Sequence, residues 1–194
     1  IMPTLASNGT RQAIVNKAVN NIYAMRITYN HDSLTMSCVA VSQNLICVPA
    51  HSVLHFIKNE GAKFDLELKQ YGATQTYTSL TIDNVMLPDT DEDIAFINVQ
   101  LPAKSLKNYC FQSSHKLMKE GLLVKWNLGS GKTSYVETVA VKNIQPYSAP
   151  YASDQNYFGL PGPARLEIVD GWNYQGPCYK GMCGSVVFGD ATTG

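Results

Sequence analysis

A glycine-flanked cysteine late in the sequence has the residue types of a nucleophile loop. The segment from Gly176 to Ser185 reads Gly-Pro-Cys-Tyr-Lys-Gly-Met-Cys-Gly-Ser and leads directly into the apolar triplet Val-Val-Phe. The thiolate of Cys183 could act as a nucleophile. Gly181 would let the backbone turn so that the N–H groups of Gly181 and Cys183 converge on one oxyanion. A glycine-rich turn around a buried cysteine fits the same letters.

A histidine and an aspartate could activate such a thiol. His51 follows the apolar residues 45–50, so we expect it at the end of a strand, where its ring can reach across a cleft. There it could accept the thiol proton and later protonate a leaving amine, and Asp93, which opens another apolar run, could orient the ring. A structural histidine and a turn aspartate are the ordinary interpretations. Three further acidic residues are alternative partners of the histidine: Asp89, Asp91 and Glu92.

Short strands must position these residues. Apolar, β-branched and aromatic runs between turn residues predict strands at residues 23–29, 34–41, 44–53, 64–69, 77–87, 93–99, 121–127, 134–144, 164–169 and 185–188. Residues 145–163, rich in Pro, Gly, Tyr and Ser, predict a long surface loop. One leading helix is predicted by five residues at helical spacing, namely Ile14, Val15, Ala18, Val19 and Ile22. The predicted fold class is therefore all-β with an N-terminal helix.

The composition narrows the possible functions. Of 194 residues, 45% are hydrophobic and 10% are aromatic, which is enough for a packed core, and 15 Lys+Arg residues balance 15 Asp+Glu residues. Because there is no basic excess, we do not expect nucleic-acid binding as the main activity. Five widely spaced cysteines favour a reducing compartment over a disulfide scaffold. The apolar runs are too short for a transmembrane span.

The order His51, Asp93, Cys183 resembles that of chymotrypsin-like proteases, in which base and acid come from the first barrel and the nucleophile from the second. Pro-Ala-His at 49–51, Asp-Ile-Ala at 93–95 and Gly-x-Cys-Gly at 181–184 carry the resemblance. With its cysteine and leading helix, the chain is similar to the 3C-type proteases of picornavirus-like positive-strand RNA viruses. The resemblance implies a chymotrypsin-like double antiparallel β-barrel. It also implies a cysteine endopeptidase that cleaves a viral polyprotein through a thioester.

The resemblance further implies domains and site residues. We expect an N-terminal barrel with its leading helix at residues 1–105, a linker at 106–118 and a C-terminal barrel at 119–194. The implied catalytic residues are His51, Asp93 and Cys183. The implied oxyanion hole consists of Gly181, Met182 and Cys183, and the implied substrate-binding residues are Cys178 and Tyr179.

Two departures from the family affect the substrate pocket. No histidine follows Cys183, although the family carries one in a Gly-x-His setting that recognises glutamine at the P1 position. The sequence stops at Gly194, so we expect the second barrel to lack its last hairpin. Cys178 stands where picornaviral members commonly carry threonine, and a thiol is a weaker hydrogen-bond partner. Glutamine or glutamate at P1 is expected from the resemblance alone.

The expected partners are the viral polyprotein and host protein substrates, in the host cytoplasm, with no cofactor and no structural metal. Zinc could use the pairs His51-x₃-His55 and Cys178-x₄-Cys183, but neither has the spacing or context of a known zinc motif. RNA binding, found in some picornaviral relatives, is weakly supported because residues 89–93 are acidic. The non-enzymatic alternative is a chymotrypsin-like module that binds RNA or a viral protein.

Overall fold

The computed structural model describes residues 16, 20–53, 61–70, 73–87, 93–103, 118–127, 135–153, 164–178 and 182–189. Of the predicted leading helix, Asn16 is helical and the other residues up to 19 lie outside the described part of the chain. The prediction is wrong for Ile22, which is fully buried and begins the first strand. Almost all of the predicted linker at 106–118 also lies outside the described residues. The described strands form two antiparallel sheets. The all-β prediction is therefore confirmed.

The first sheet has seven strands in the order β5-β4-β1-β2-β3-β7-β6. They are β1 (Ile22–Tyr29), β2 (Asp32–Ser42), β3 (Leu45–Val48), β4 (Phe64–Gln70), β5 (Ala73–Leu80), β6 (Val85–Met86) and β7 (Ala95–Asn98). Buried residues from opposite ends of this order, Leu80 of β5 and Ile97 of β7, belong to one hydrophobic core. The sheet therefore curls around that core.

The alternation of β4 explains how this core forms. Phe64, Leu66 and Leu68 are buried, whereas the intervening Asp65 and Lys69 reach solvent. Successive side chains of a strand point to opposite faces, so a period of two buries one face and hydrates the other. The predicted strand at 64–69 is confirmed, and its apolar face belongs to the core of the first sheet.

The second sheet has four strands in the order β10-β9-β8-β11. They are β8 (Met118–Asn127), β9 (Tyr135–Ser153), β10 (Ala164–Gln175) and β11 (Val186–Gly189). Leu123, Val141 and Ile144 are buried together on one face, with Met182 and Trp172 packed against them. This cluster brings the residue before Cys183 into the core of the second sheet.

β1 joins the two sheets because it is buried on both faces. Tyr23 and Met25 point into the core of the first sheet, whereas Ile22 and Ala24 pack against residues of β8 and β11. The indole Nε1–H of Trp126 in β8 donates to the carbonyl oxygen of Ile22, at 3.0 Å. The central strand of one sheet is thus fixed directly to the other sheet.

The prediction of a loop over residues 145–163 is wrong for residues 145–153, which continue β9. Beyond Ile144, β9 pairs with β10 but no longer with β8. Among the described residues, Pro146 and Pro150 therefore lie where β9 has a pairing partner on one side, and an edge strand tolerates a residue without an N–H donor. β10 likewise runs to Gln175 rather than ending at residue 169. Residues 154–163 lie outside the described part of the chain.

The predicted strand at 77–87 is also wrong in its middle. β5 ends at Leu80 and a 3₁₀-helix at Ile82–Asn84 precedes β6. The Thr81 hydroxyl accepts the N–H of Asp83 at 3.3 Å, and the Asn84 side-chain oxygen accepts the N–H of Thr81 at 3.1 Å. Because these polar side chains bind the backbone locally, they break the strand that the apolar pattern predicts.

Candidate active site

Two neighbouring strands carry His51 and Asp93 to one end of the first sheet. β3 and β7 pair antiparallel, with Val48 opposite Ala95. The last residue of β3 therefore lies beside the first residue of β7. His51 follows β3 by three positions and Asp93 precedes β7 by two, so both side chains emerge at the same edge.

A short turn buries His51 at this edge. The predicted strand 44–53 ends at Val48, and a 3₁₀-helix at Ala50–Ser52 follows. Pro49 has a φ of −61° and an extended ψ of 133°; its carbonyl accepts both the backbone N–H of Ser52 at 3.1 Å and the Ser52 hydroxyl at 2.7 Å. The histidine is 7% exposed. The backbone around His51 is thus fixed by this turn.

One carboxylate holds His51 at two points. Oδ1 of Asp93 accepts the backbone N–H of His51 at 2.9 Å, and Oδ2 lies 2.7 Å from Nδ1 of the ring. A carboxylate oxygen only accepts, so Nδ1 carries the hydrogen. The ring is therefore oriented, and Nε2 is the nitrogen left to act on a substrate or nucleophile. The other acidic candidates, Asp89, Asp91 and Glu92, lie outside the described residues.

Cys183 is the second residue of a tight turn. The N–H of Ser185 donates to the carbonyl oxygen of Met182 at 3.1 Å, which closes a β-turn over residues 182–185. Gly184, the third residue, has a φ of +83°, the conformation that a type II turn reserves for glycine. β11 begins one residue after the turn, at Val186. The turn presents the exposed thiol of Cys183 just before a strand anchored in the second sheet.

Both Asp93 and Cys183 influence the protonation of the His51 ring. Burial is the largest influence on this histidine and favours its neutral form, which lowers the pKa. The hydrogen bond to Asp93, the proximity of Cys183 and the negative charges of both groups outweigh burial and raise the pKa to about 9. The thiol is thus close enough to the imidazole to affect its protonation. His51, Asp93 and Cys183 come together although they lie far apart in the sequence.

Of the remaining predicted site residues, two lie in the described part of the chain and two do not. Met182 is half-buried and packs into the core of the second sheet. Cys178 is exposed, three residues after β10 ends. Gly181 and Tyr179 lie outside the described residues. The assignments to an oxyanion hole and a substrate pocket therefore stay predictions.

Ser37, which the sequence did not single out, contacts the nucleophile turn. It lies in β2, is fully buried, and its peptide group lies directly beside Gly184. The surrounding run Met-Ser-Cys-Val matches no catalytic motif. The one available signal was a small polar residue among the otherwise apolar residues 36–41.

Within the described residues, no group of three or more His, Cys, Asp or Glu side chains is arranged to hold a metal ion. Four cysteines in this part of the chain form no disulfide bond: Cys38, Cys47, Cys178 and Cys183. Burial, with a smaller contribution from the charge of Cys47, raises the pKa of the Cys38 thiol. No helix in the described part of the chain has the length and apolar character needed to cross a membrane.

The fold is similar to that of several solved proteases. The Rv3671c protease of M. tuberculosis in its active form has a TM-score of 0.52 and 15% identity, over 97% of this chain and 76% of that chain. The inactive form of the same protein gives a TM-score of 0.52 and 14% identity, over 95% and 82%. The HtrA-type protease AlgW, solved with a tripeptide, has a TM-score of 0.53 and 14% identity over 92% of this chain, which spans half of that chain.

No protein-family model matches the sequence, and no curated protein matches it significantly. At 14–15% identity the structural likeness establishes the fold. The predicted chymotrypsin-like fold class is thereby confirmed. The activity must be argued from the site itself.

Proposed function

We propose that this chain is a cysteine endopeptidase in which Cys183 is the nucleophile, His51 carries the proton and Asp93 orients His51. The observation that supports it most is the two-point hold of Asp93 on His51, with Cys183 beside the same ring. A third group that fixes the proton carrier next to a nucleophile is the arrangement of triad hydrolases on unrelated folds. The protease-like fold of the whole chain is consistent with it.

The proposed reaction begins with the proton on the imidazole. A pKa of about 9 keeps His51 protonated at neutral pH. In the proposed mechanism Cys183 is the thiolate partner of this imidazolium, and its sulfur attacks the peptide carbonyl carbon. The carbonyl oxygen becomes an oxyanion, which the N–H groups of Gly181 and Cys183 would stabilise. As the C–N bond breaks, Nε2 of His51 gives its proton to the leaving amine. A thioester and a neutral imidazole remain.

Hydrolysis of the thioester restores the enzyme. Neutral His51 removes a proton from a water molecule, and the resulting hydroxide adds to the thioester carbon. The carbon–sulfur bond then breaks, the carboxylic acid product leaves and gives its proton to solvent, and the thiolate of Cys183 and the imidazolium of His51 are restored. Asp93 stabilises the imidazolium in both halves of the reaction without accepting the proton.

We further propose that the substrate is a viral polyprotein, with host proteins as possible additional substrates, in the cytoplasm of the host cell. This part rests on the motifs at His51, Asp93 and Cys183 and on their resemblance to 3C-type proteases. Glutamine or glutamate at P1 rests on the same resemblance. The exposed position of Cys178 near the nucleophile turn makes this residue a candidate contact for the P1 side chain.

Selective alkylation tests the proposed nucleophile. The protein is treated with iodoacetamide at pH 6, and labelling at each cysteine is followed by peptide mass spectrometry. Cys178 is the internal reference, because it is also exposed but has no imidazole partner in the proposal. We expect Cys183 to react at least about tenfold faster than Cys178, and His51→Ala to remove that excess.

A peptide library that varies the P1 residue tests the activity itself. Cleavage that requires Cys183 and prefers Gln or Glu at P1 would support both levels of the proposal. Equal, slow labelling of Cys183 and Cys178, together with no cleavage, would instead favour a binding module.

A further inference from the structure

Gly184 brings the nucleophile turn into direct contact with the first sheet. A Cβ atom at this position would overlap the carbonyl oxygen of Ser37 and lie 2.7 Å from its carbonyl carbon. Both atoms belong to the backbone, so a shift of a flexible side chain cannot make room. The turn therefore fits against β2 because residue 184 has no side chain.

The side chain of Ser37 binds the second sheet at another point. Its Oγ accepts the backbone N–H of Trp126 in β8, at 3.0 Å, and both residues are buried. β8 pairs with β11, with Val124 opposite Val186. Ser37 thus contacts both the strand beside β11 and the turn that leads into β11.

Ser37 also belongs to the part of the first sheet that carries the histidine. β2 pairs with β3, with Val39 opposite Cys47, and His51 follows β3 by three residues. One stretch of β2 therefore contacts the nucleophile turn and also neighbours the histidine-bearing strand. Two contacts from one residue resist both sliding and rotation of the second sheet at this place.

We propose that Ser37 and Gly184 form a positioning contact that sets the sulfur of Cys183 at the ring of His51. Neither residue touches the substrate. The Ser37 carbonyl limits how closely the nucleophile turn approaches β2. The Ser37 hydroxyl holds β8 against the same stretch of β2. The catalytic consequence of this inference rests on the proposed function. The position of the Cys183 sulfur relative to the His51 ring can be tested without it.

The His51 pKa, followed by NMR of the imidazole C–H signals, reports this placement without any substrate. Cys183 lies close enough to the ring to raise the His51 pKa, so Cys183→Ala should lower that pKa and set the reference for a lost contact. We expect Gly184→Ala to lower it to the value of Cys183→Ala, because the added Cβ moves the turn away from β2.

Gly61→Ala is the matched control. Gly61 has a φ of +86°, close to that of Gly184, but a Cβ there would meet no atom within 4 Å. It therefore imposes the same backbone strain without a clash, and we expect the His51 pKa of wild type. Circular dichroism and thermal unfolding confirm that each variant folds.

Ser37 provides a second test that does not depend on Gly184→Ala folding. Ser37→Ala deletes the acceptor of the Trp126 N–H and introduces no clash, so we expect a smaller fall of the His51 pKa, whereas Ser37→Thr retains the hydroxyl and should restore the wild-type value. A wild-type His51 pKa in both Gly184→Ala and Ser37→Ala would overturn the positioning role. So would an unchanged pKa in Cys183→Ala.

The same experiment separates the two proposals. A His51 pKa that responds to Gly184→Ala and Cys183→Ala, in a protein that cleaves no peptide and shows no selective alkylation, supports the positioning contact and refutes the endopeptidase. Selective alkylation and cleavage that persist in Gly184→Ala with an unchanged His51 pKa support the endopeptidase and refute the positioning contact.

Discussion

The carboxylate of Asp93 binds both the backbone N–H and the ring Nδ1 of His51. The bond to the backbone N–H fixes the position of the main chain at His51, and the bond to Nδ1 fixes the orientation of the ring. Since β3 and β7 are paired up to Val48 and Ala95, the sheet itself brings the two residues together. The orientation of the proton carrier is thus built into the first sheet, independently of the nucleophile.

Replacing Asp93 with asparagine should lower the pKa of His51 well below about 9. The substitution removes a charge and a hydrogen bond that raise this pKa, while the burial that lowers it remains. NMR titration of the imidazole measures the change. We also expect peptide cleavage to fall on the order of a hundredfold, since the ring loses its preferred tautomer.

Asp83→Asn is the control for this charge change, because Asp83 is exposed in the 3₁₀-helix at Ile82–Asn84. It should leave the pKa of His51 unchanged. A His51 pKa that stays near 9 in Asp93→Asn would mean that another acidic residue, such as Asp91, orients the ring.

The raised pKa of His51 makes stability depend on pH in a defined window. The folded-state value of about 9 exceeds the ordinary value of 6.5, so protonation favours the folded state. This contribution is complete below pH 6.5 and is lost as pH rises through 9, and the gap corresponds to roughly 3 kcal/mol. Urea unfolding of wild type and His51→Gln from pH 6 to 9.5 measures it.

We expect the free-energy difference between wild type and His51→Gln to shrink as pH rises across that window. Groups that do not interact with His51 titrate alike in the two proteins and cancel in the difference, whereas the effects of Asp93 and Cys183 are part of the His51 contribution. Parallel stability curves from pH 6 to 9.5 would show that His51 has no raised pKa in the folded protein.

The sequence predicted those elements whose burial pattern is local. β4 was predicted because Phe64, Leu66 and Leu68 alternate with polar residues, and this alternation depends on no distant contact. The end of β9 was missed because Pro146 and Pro150 are turn residues by composition. Their tolerance depends on pairing with distant residues, since among the described residues the pairing of β9 with β8 does not extend past Ile144 and only that with β10 continues. Pairing with distant strands, which the local sequence does not reveal, determines that residues 145–153 form a strand.

The candidate site likewise contains residues that local sequence patterns reveal and one residue that they do not. The position of His51 after one strand and of Asp93 before another follows from short apolar runs, and the structure has both. Ser37 could not be found in this manner, because its importance arises from Trp126 and Gly184, which are distant in sequence. Catalytic roles at these positions stay predictions until the variants are measured.

Gly121→Ala should destabilise the second sheet. A Cβ on Gly121, in the middle strand β8, would collide with the Ile144 side chain and lie 2.8 Å from the carbonyl oxygen of Phe188. Overpacking of this kind costs about 1–3 kcal/mol. Thr138→Ala, on the exposed side of β9, is the control and should stay within about 0.5 kcal/mol of wild type.

Urea unfolding curves of the two variants measure this difference. A Gly121→Ala protein as stable as Thr138→Ala would show that β8 and β11 are farther apart than their pairing at Leu122 and Phe188 indicates.

Cys183→Ser tests whether the site depends on a thiolate. A hydroxyl of ordinary acidity does not form an ion pair with imidazole, so the serine variant loses the negative charge that helps to raise the pKa of His51. We expect that pKa to fall below about 9 in Cys183→Ser. Serine attack then requires neutral His51 as a general base, whereas the thiolate requires only that the proton already be on the ring.

The pH dependence of peptide cleavage distinguishes these modes. In Cys183→Ser we expect the rate to fall on the order of a hundredfold or more and to rise with pH as His51 becomes neutral, while Cys183→Ala has no measurable turnover. Equal rates and equal pH profiles for wild type and Cys183→Ser would contradict a thiolate mechanism, because the reaction would then be indifferent to whether sulfur or oxygen attacks the peptide carbonyl.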